Sequence, residues 1–291
     1  MRSFSSPGRW WLGVILGILI VARSQGGPIR SGFADGAIPA SDDGKSGAID
    51  TAFAVNFYGE THTQVYVNNN GNLTFGSNLD QFTPVDLSST SHQIIAPFFA
   101  DVDTTSRGMV TYGTGLVDGR MAFGATWSDV GYYIANDNKG NTFQVVLVDR
   151  SDRGVGSFDI EFNYDTIQWE TGDFSGGVDG LGGDSARVGF AKGTGDPGTF
   201  FELPGSGVNG AFLDGTPGSG LVGGSLNADV DGRYVFYARG GVITSEPEVI
   251  DDPDDGGGGT PTVPEPATLA LASMSLGMSG VFAWRKRRRE G

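Results

Sequence analysis

Strict alternation of apolar and polar residues is the feature that most limits what this chain can become. Phe158, Ile160, Phe162 and Tyr164 take every second position, with Asp159, Glu161 and Asn163 between them. Side chains of an extended strand leave alternate faces, so this spacing builds one apolar and one polar face. The same period recurs at Phe53, Val55 and Phe57, at Met121, Phe123, Ala125 and Trp127, and at Phe143, Val145 and Leu147. Shorter apolar segments follow at Val188 to Phe190, Phe200-Phe201 and Tyr234 to Tyr237. Val65 to Val67 and Leu73 to Phe75 flank Asn68-Asn69-Asn70-Gly71, whose Asn-Gly pair suits the left-handed backbone of a hairpin turn. Ile94 to Val102 is a nearly continuous apolar run, and Pro97 inside it places that run at an edge or a bulge. Helical spacing is absent from comparable stretches, apart from a turn near Asp86 to His92. With 49 glycines breaking the chain into short strands, the pattern predicts an all-β fold, a single antiparallel β-sandwich domain over residues 48–240. Gln25 to Gly47, rich in Gly, Ser and Asp, reads as a loose lead-in.

The two ends follow different rules. Arg2 and Arg9 form a positive region ahead of the apolar Trp10 to Val21, and Ala22-Arg23-Ser24 offers small residues at the two positions that a signal peptidase reads. Residues 1–24 are therefore expected to be a signal helix cleaved after Ser24, since the apolar run is short for a span. At the other end, Ala267 to Trp284 carries no charge and as a helix reaches about 27 Å, close to a bilayer core. Arg285, Lys286, Arg287, Arg288 and Arg289 follow and would stay on the cytoplasmic side of a transmembrane helix over 267–284. Between domain and tail, residues 245–263 contain DDPDDGGGG, which cannot bury apolar surface and reads as a flexible acidic linker.

Charge and cysteine narrow the function classes. Eight of the 19 Lys and Arg and two of the 34 acidic residues lie in the terminal segments, leaving 11 basic against 32 acidic in the exported part. Such a surface repels nucleic acid and anionic lipid and attracts divalent cations. The absence of cysteine removes thiol catalysis, thiolate metal sites and disulfide staples, so the domain must hold itself together through its core.

Two resemblances emerge from these residues. Val263-Pro264-Glu265-Pro266, the apolar run and the arginine block closely resemble the PEP-CTERM sorting signal of exopolysaccharide-producing Gram-negative bacteria, spanning 264–291. That resemblance implies recognition of the Pro-Glu-Pro element by an exosortase-type membrane peptidase. It also implies removal of the tail, an inner-membrane intermediate, and final placement at the cell surface or in the extracellular matrix. Within the domain, NNNGNLTFG (Asn68 to Gly76), IIAPFFADVDT (Ile94 to Thr104), NTFQVVLV (Asn141 to Val148), FNYDTIQWETG (Phe162 to Gly172), ARVGFAKG (Ala186 to Gly193), FFELPGSG (Phe200 to Gly207) and GRYVFY (Gly232 to Tyr237) resemble, in order, the nidogen-like (NIDO) domain. That family's domain is extracellular, non-enzymatic and associated with cell–matrix adhesion. The EGF-like and mucin modules that accompany it elsewhere are not found in this sequence, so no particular matrix ligand is carried over.

Asp101 and Asp103 come first among candidate sites. Straddling Val102 at the end of an apolar strand, they leave one face about 7 Å apart, and with Asp80, Asp86 or a backbone carbonyl they suit Ca²⁺. The same Asp103-Thr104-Thr105-Ser106 segment equally suits a loop closed by side-chain to backbone bonds. Asp149 with Asp152, Asp173 with Asp179 and Asp184, and Asp229 with Asp231 sit beside glycine, where turns recruit Asp in any case. Asp159 with Glu161 is the carboxylate pair that a glycan hydrolase would need, and His92 after Ser88-Ser89-Thr90-Ser91 raises Ser–His chemistry, but no G-x-S-x-G elbow supports it. Trp127, Tyr132, Tyr133 and Trp169 are placed at strand ends or turns, where rings stack on sugars. The expectation is a non-catalytic exported protein that organises an exopolysaccharide or cell–matrix layer. A secreted glycan-active hydrolase and a calcium-stabilised structural module are the alternatives.

Overall fold

The computed structural model describes residues 27–247. The predicted signal segment with Ala22 and Ser24, the linker from residue 248 onward, Val263 to Pro266, the 267–284 span and Arg285 to Arg289 lie outside the described residues. Among those described there is no α-helix, and no helix is long and apolar enough to cross a membrane.

The fold is all-β, with two antiparallel sheets. The larger contains β1 (Gly36–Ile38), β6 (Val102–Asp103), β7 (Met109–Val117), β8 (Arg120–Tyr132), β9 (Asn136–Asp149), β10 (Phe158–Thr166), β13 (Arg233–Arg239) and β14 (Val242–Thr244). Its order is β1-β7-β8-β9-β10-β13-β14, with β6 beside the end of β8. The smaller contains β2 (Ile49–Phe57), β3 (Glu60–Asn68), β4 (Asn72–Thr74), β5 (Ile94–Phe99), β11 (Arg187–Ala191) and β12 (Phe200–Glu202), in the order β12-β11-β5-β4-β3-β2. Local turns fix most neighbours. Asp118-Gly119 joins β7 to β8 in a two-residue turn, and Asn69-Asn70-Gly71 closes the β3–β4 hairpin, with Asn68 opposite Asn72. Gly71 adopts φ 75°, and a Cβ there would strike the Phe98 carbonyl, so the position requires glycine on both counts.

The alternating residues meet between the sheets. Phe123, Ala125 and Trp127 of β8, Phe143, Val145 and Leu147 of β9, and Phe158, Ile160, Phe162 and Tyr164 of β10 are buried against the smaller sheet. Phe98 of β5 lies 5.2 Å from the Phe143 ring and edge-on to Trp169, Trp127 stacks on Phe143 at 5.0 Å, and Phe190 of β11 meets Phe236 of β13 at 5.2 Å. Burying each such ring contributes about 1.5–3 kcal/mol, which is how a domain without disulfides sustains itself.

Two expectations need correcting, and a third resolves between its alternatives. Met121 shares the periodicity of Trp127 but is exposed opposite the exposed Leu116, because the β7–β8 hairpin runs past the edge of the core. Of the two places proposed for Pro97 the structure shows the bulge and not the edge: β5 is interior, between β4 and β11, and the ladder to β11 bulges where Arg187 pairs Phe99 but Gly189 pairs Ala96. The lead-in is not loose. β1 pairs with β7, Phe33 is buried, and Arg30 inserts its guanidinium onto Glu161 at 2.6 and 2.9 Å. That segment also explains the polar face of β10, which faces protein rather than solvent: Asp159, Glu161 and Asn163 are all buried. Arg30 and Arg233 pair with Glu161, Arg150 and Arg239 pair with Asp159, and Arg233 Nη2 donates to the Pro28 carbonyl at 2.7 Å.

Candidate functional site

The buried Asn turn organises one end of the sandwich. Asn69 Nδ2 donates to the carbonyls of Asp42 and Val102, while its own carbonyl accepts Trp127 Nε1 at 2.8 Å. Asn70 Oδ1 accepts the Val102 amide at 3.0 Å, and Asn70 Nδ2 donates to Asp43 Oδ1 at 2.8 Å and to the Gln81 carbonyl at 3.3 Å. One turn therefore ties together the Asp42-Asp43 loop, the chain ahead of Phe82, and the β5–β6 junction that carries Asp101. From the other side, Tyr133 N donates to the Asp101 carbonyl at 3.1 Å and Asp173 N to the Tyr133 carbonyl at 2.8 Å. This sets Tyr133 and the 3-10 turn Asp173–Ser175 beside Asp101.

These segments enclose a cavity of about 150 Å³ lined by Asp42, Asp43, Phe82, Asp101, Tyr133 and Phe174. The Phe174 ring stands edge-on to Phe82 at 5.2 Å and to Tyr133 at 6.1 Å, and it is 69% exposed at the rim. Asp101 is only 1% exposed. Among the described residues its carboxylate has a single hydrogen-bond partner, the Ser175 hydroxyl at 3.5 Å from Oδ2. Asp42 Oδ1 is buried with no partner among the described residues. Gly172 makes the packing possible, since a Cβ there would lie 2.5 Å from Asp101 Oδ2. Glu170, equally buried, shows what a satisfied carboxylate looks like here: it accepts the amides of Gly210 and Phe212, both at 2.6 Å.

The electrostatic consequence is visible in the acids themselves. Burial, reinforced by the charges of Asp42 and Asp43, pushes the Asp101 carboxyl up to about 7. Burial and then the neighbouring Asp43 and Asp103 push Asp42 up to about 6. The pocket thus gathers acidic groups, and among the described residues no basic side chain contributes to the shift of Asp101 or Asp42.

The other sequence candidates fall elsewhere. Asp103 Oδ1 accepts the Thr105 amide and hydroxyl and its Oδ2 accepts the Ala135 amide at 2.8 Å, so its oxygens close turns. Asp80 is held by Lys45 at 2.9 Å and Asp86 by the Ser88 amide and hydroxyl. Asp149 caps Ser151, Asp152 pairs with Arg120 and Arg150, and Asp179 pairs with Lys139. Among the described residues no group of three or more His, Asp or Glu is arranged to hold a metal ion. Ser89 donates to the Asp86 carbonyl, and no hydrogen bond joins His92 to Ser88 or Ser89 among the described residues. Trp127, Tyr132 and Trp169 are core residues rather than sugar platforms; of the four aromatics named from sequence, Tyr133 alone lines the pocket. A second depression of about 420 Å³ runs past Asp35, Asp50 and Tyr112, but its acids are satisfied by the amides of Thr114 and Ala52. Sequence reasoning missed Asp42, Asp43, Phe82 and Phe174 as site residues, and the signal that could have found them is the triple Asn turn that gathers their loops.

Comparison with known proteins gives two family matches. A model described as the nidogen-like domain matches residues 63–239, and one described as a PEP-CTERM protein-sorting motif matches 262–289. Alpha-tectorin of Mus musculus is 34% identical over 267 residues, covering 82% of this chain and 12% of its own length. Alpha-tectorin of Homo sapiens is 35% identical over 227 residues, covering 69% of this chain and 10% of its own. Nidogen of Drosophila melanogaster is 30% identical over 198 residues, covering 58% of this chain and 14% of its own. The chain therefore spans only a small part of each of these relatives. No solved structure matches it. The nidogen-like match includes Phe82, Asp101, Tyr133 and Phe174 and begins after Asp42 and Asp43.

Proposed function

We propose, on the premise that the chain belongs to the nidogen-like domain family and carries a PEP-CTERM sorting motif, that it is an exported, non-catalytic protein of a bacterial cell surface or exopolysaccharide matrix. The observation that carries this reading is the order of the two matches: a sandwich related to alpha-tectorin and nidogen over 63–239, then a sorting motif over 262–289. In this reading a signal peptidase cuts after Ser24, reading Ala22 and Ser24. The span 267–284 and Arg285 to Arg289 hold an inner-membrane intermediate, and an exosortase-type peptidase acts at Val263 to Pro266. The sandwich then works outside the cell by holding matrix polymer.

The absence of catalysis is supported by how the carboxylate pairs are used. Asp159 and Glu161, the pair a hydrolase would need, are each locked by two arginines. Neither is available to protonate a leaving group or attack a sugar.

The test is expression of the full chain in an exosortase-bearing, exopolysaccharide-producing host and in the same host lacking the exosortase, followed by mass spectrometry and fractionation. The expected result is a shortened protein sedimenting with polymer in the first host and a full-length membrane-bound protein in the second. Replacement of Pro264, Glu265 and Pro266 by alanine should reproduce the second pattern. An unchanged mass and location in both hosts would overturn the proposal, and release of reducing ends from purified polymer would overturn its non-catalytic part.

A further inference from the structure

We propose that the pocket of Asp42, Asp43 and Asp101, walled by Phe82, Tyr133 and Phe174, binds a protonated amine, that of an amino sugar in the surrounding polysaccharide. The identification of polysaccharide as the source rests on the matrix reading above; the preference for an amine rests on the pocket alone.

Three observations carry it. The first is the unsatisfied acceptors. Asp101 is almost fully buried with one long bond from a neutral hydroxyl, and Asp42 Oδ1 is buried with none. Buried carboxylates are ordinarily paired or well bonded, as Glu170 and Glu161 are in this same domain. The second is the wall. Three aromatic rings line the cavity together with the acids, and aromatic rings attract an organic ammonium while supplying no oxygen ligand of the carboxylate kind to a metal ion. Calcium takes about six to eight oxygens, and among the described residues no three acidic side chains are placed to share one ion. The third is size. At ~30 Å³ for each water, a space of about 150 Å³ holds about five waters, comparable to a small ring bearing one charged nitrogen.

An amino sugar satisfies all three features. Its ammonium supplies three N–H donors, matching the free acceptors of Asp101 and Asp42, and its apolar ring face stacks on Phe174 at the rim. N-acetylation would remove the charge and enlarge the group, so the pocket distinguishes free from acetylated amines. The negative surface of the exported domain draws a cationic polymer toward it.

The experiment is calorimetric titration of the full-length protein in mild detergent, near neutral pH, with chitosan oligomers, the fully N-acetylated oligomers, a lysine-containing peptide and calcium chloride. Binding of the free-amine oligomer alone is expected. Asp101→Asn should weaken it about tenfold or more, the loss of one charge-assisted bond. Phe174→Ala, at an exposed position that the fold does not need, should weaken it about two- to fivefold. Intact folding of both variants is checked by the near-ultraviolet signal of the buried tryptophans. Equal binding of acetylated and free oligomers, tight binding of the lysine peptide in preference to the sugar, or calcium binding that depends on Asp101 would each overturn the proposal, as would no binding at all. These failures leave the cellular fractionation result untouched, so the two readings fall separately.

Discussion

Asp101→Asn should make the protein more stable above neutral pH, which is an unusual outcome for a buried polar position. The Asp101 carboxyl sits at about 7 in the fold against an ordinary 3.8, so the folded state holds a proton that the unfolded chain has released. A group raised in this way costs stability as pH climbs from about 4 and reaches its full penalty above 7. Roughly three pH units at 1.36 kcal/mol each is about 4 kcal/mol. Water at the Phe174 rim screens the charge, which reduces the expected effect to about 1–2 kcal/mol. For a domain of this size that corresponds to a melting temperature about 2–8 °C higher in the variant at pH 8, with near coincidence at pH 4. The charged groups facing Asp101 are Asp42, Asp43 and Asp103, all acidic, and Asp42 titrates near 6. Both proteins should therefore lose stability up to about pH 6 as Asp42 titrates, the wild type more steeply from about pH 4; between 6 and 7 only the wild type keeps losing stability, and above 7 the gap stays constant. Circular dichroism melts across pH 4 to 8 at low and high salt measure this directly. A wild-type curve that rises over that range, or a variant no more stable than wild type at pH 8, would refute the reasoning.

Other substitutions probe the frame around the pocket. Asn69→Ala removes the donor to the Asp42 and Val102 carbonyls inside the core and should cost about 1–3 kcal/mol by chemical denaturation. It should also increase proteolysis near residue 42, where an unchanged cleavage pattern would count against the turn as organiser. Phe98→Ala leaves a void against Phe143 and Trp169 and should cost about 3–5 kcal/mol, read as a lower denaturation midpoint. Glu161→Gln strands Arg30 and Arg233 and should cost about 2–4 kcal/mol at neutral pH, with faster hydrogen exchange in β10 and in the segment from Pro28 to Arg30.

Periodicity revealed the strands because it reports burial on one face, and β8, β9 and β10 follow it almost residue for residue. What periodicity cannot report is what covers the other face. Asp159 and Glu161 look solvent-facing in the sequence, yet the arginines that neutralise them come from residues 30, 150, 233 and 239, separations that no local pattern encodes. Asp101 and Asp103 were identifiable as a pair on one face, and the turn reading of Asp103 suits its bonds to Thr105 and Ala135. The companions of Asp101 were not legible, because Asp42 and Asp43 reach it through the Asn69-Asn70 side chains rather than through spacing. Trp127 and Trp169 were misplaced for a related reason: each ring nitrogen finds a backbone carbonyl inside the core, so neither needs the surface.

The bond from Arg233 to the Pro28 carbonyl joins positions 205 residues apart and clasps the first described segment to one of the last strands. Until β13 is in place, Glu161 lacks one of its two guanidinium partners, Phe162 and Phe190 lack the Phe236 ring, and Pro28 lacks its bond from Arg233. The domain therefore closes like a ring rather than growing like a stack. A chain ending before Arg233 would hold an incomplete core, with Glu161 left to Arg30 alone and Asp159 to Arg150 alone. The core is therefore complete only once β13 is present, and the segment around Arg30 is fastened to strands from both halves of the described residues.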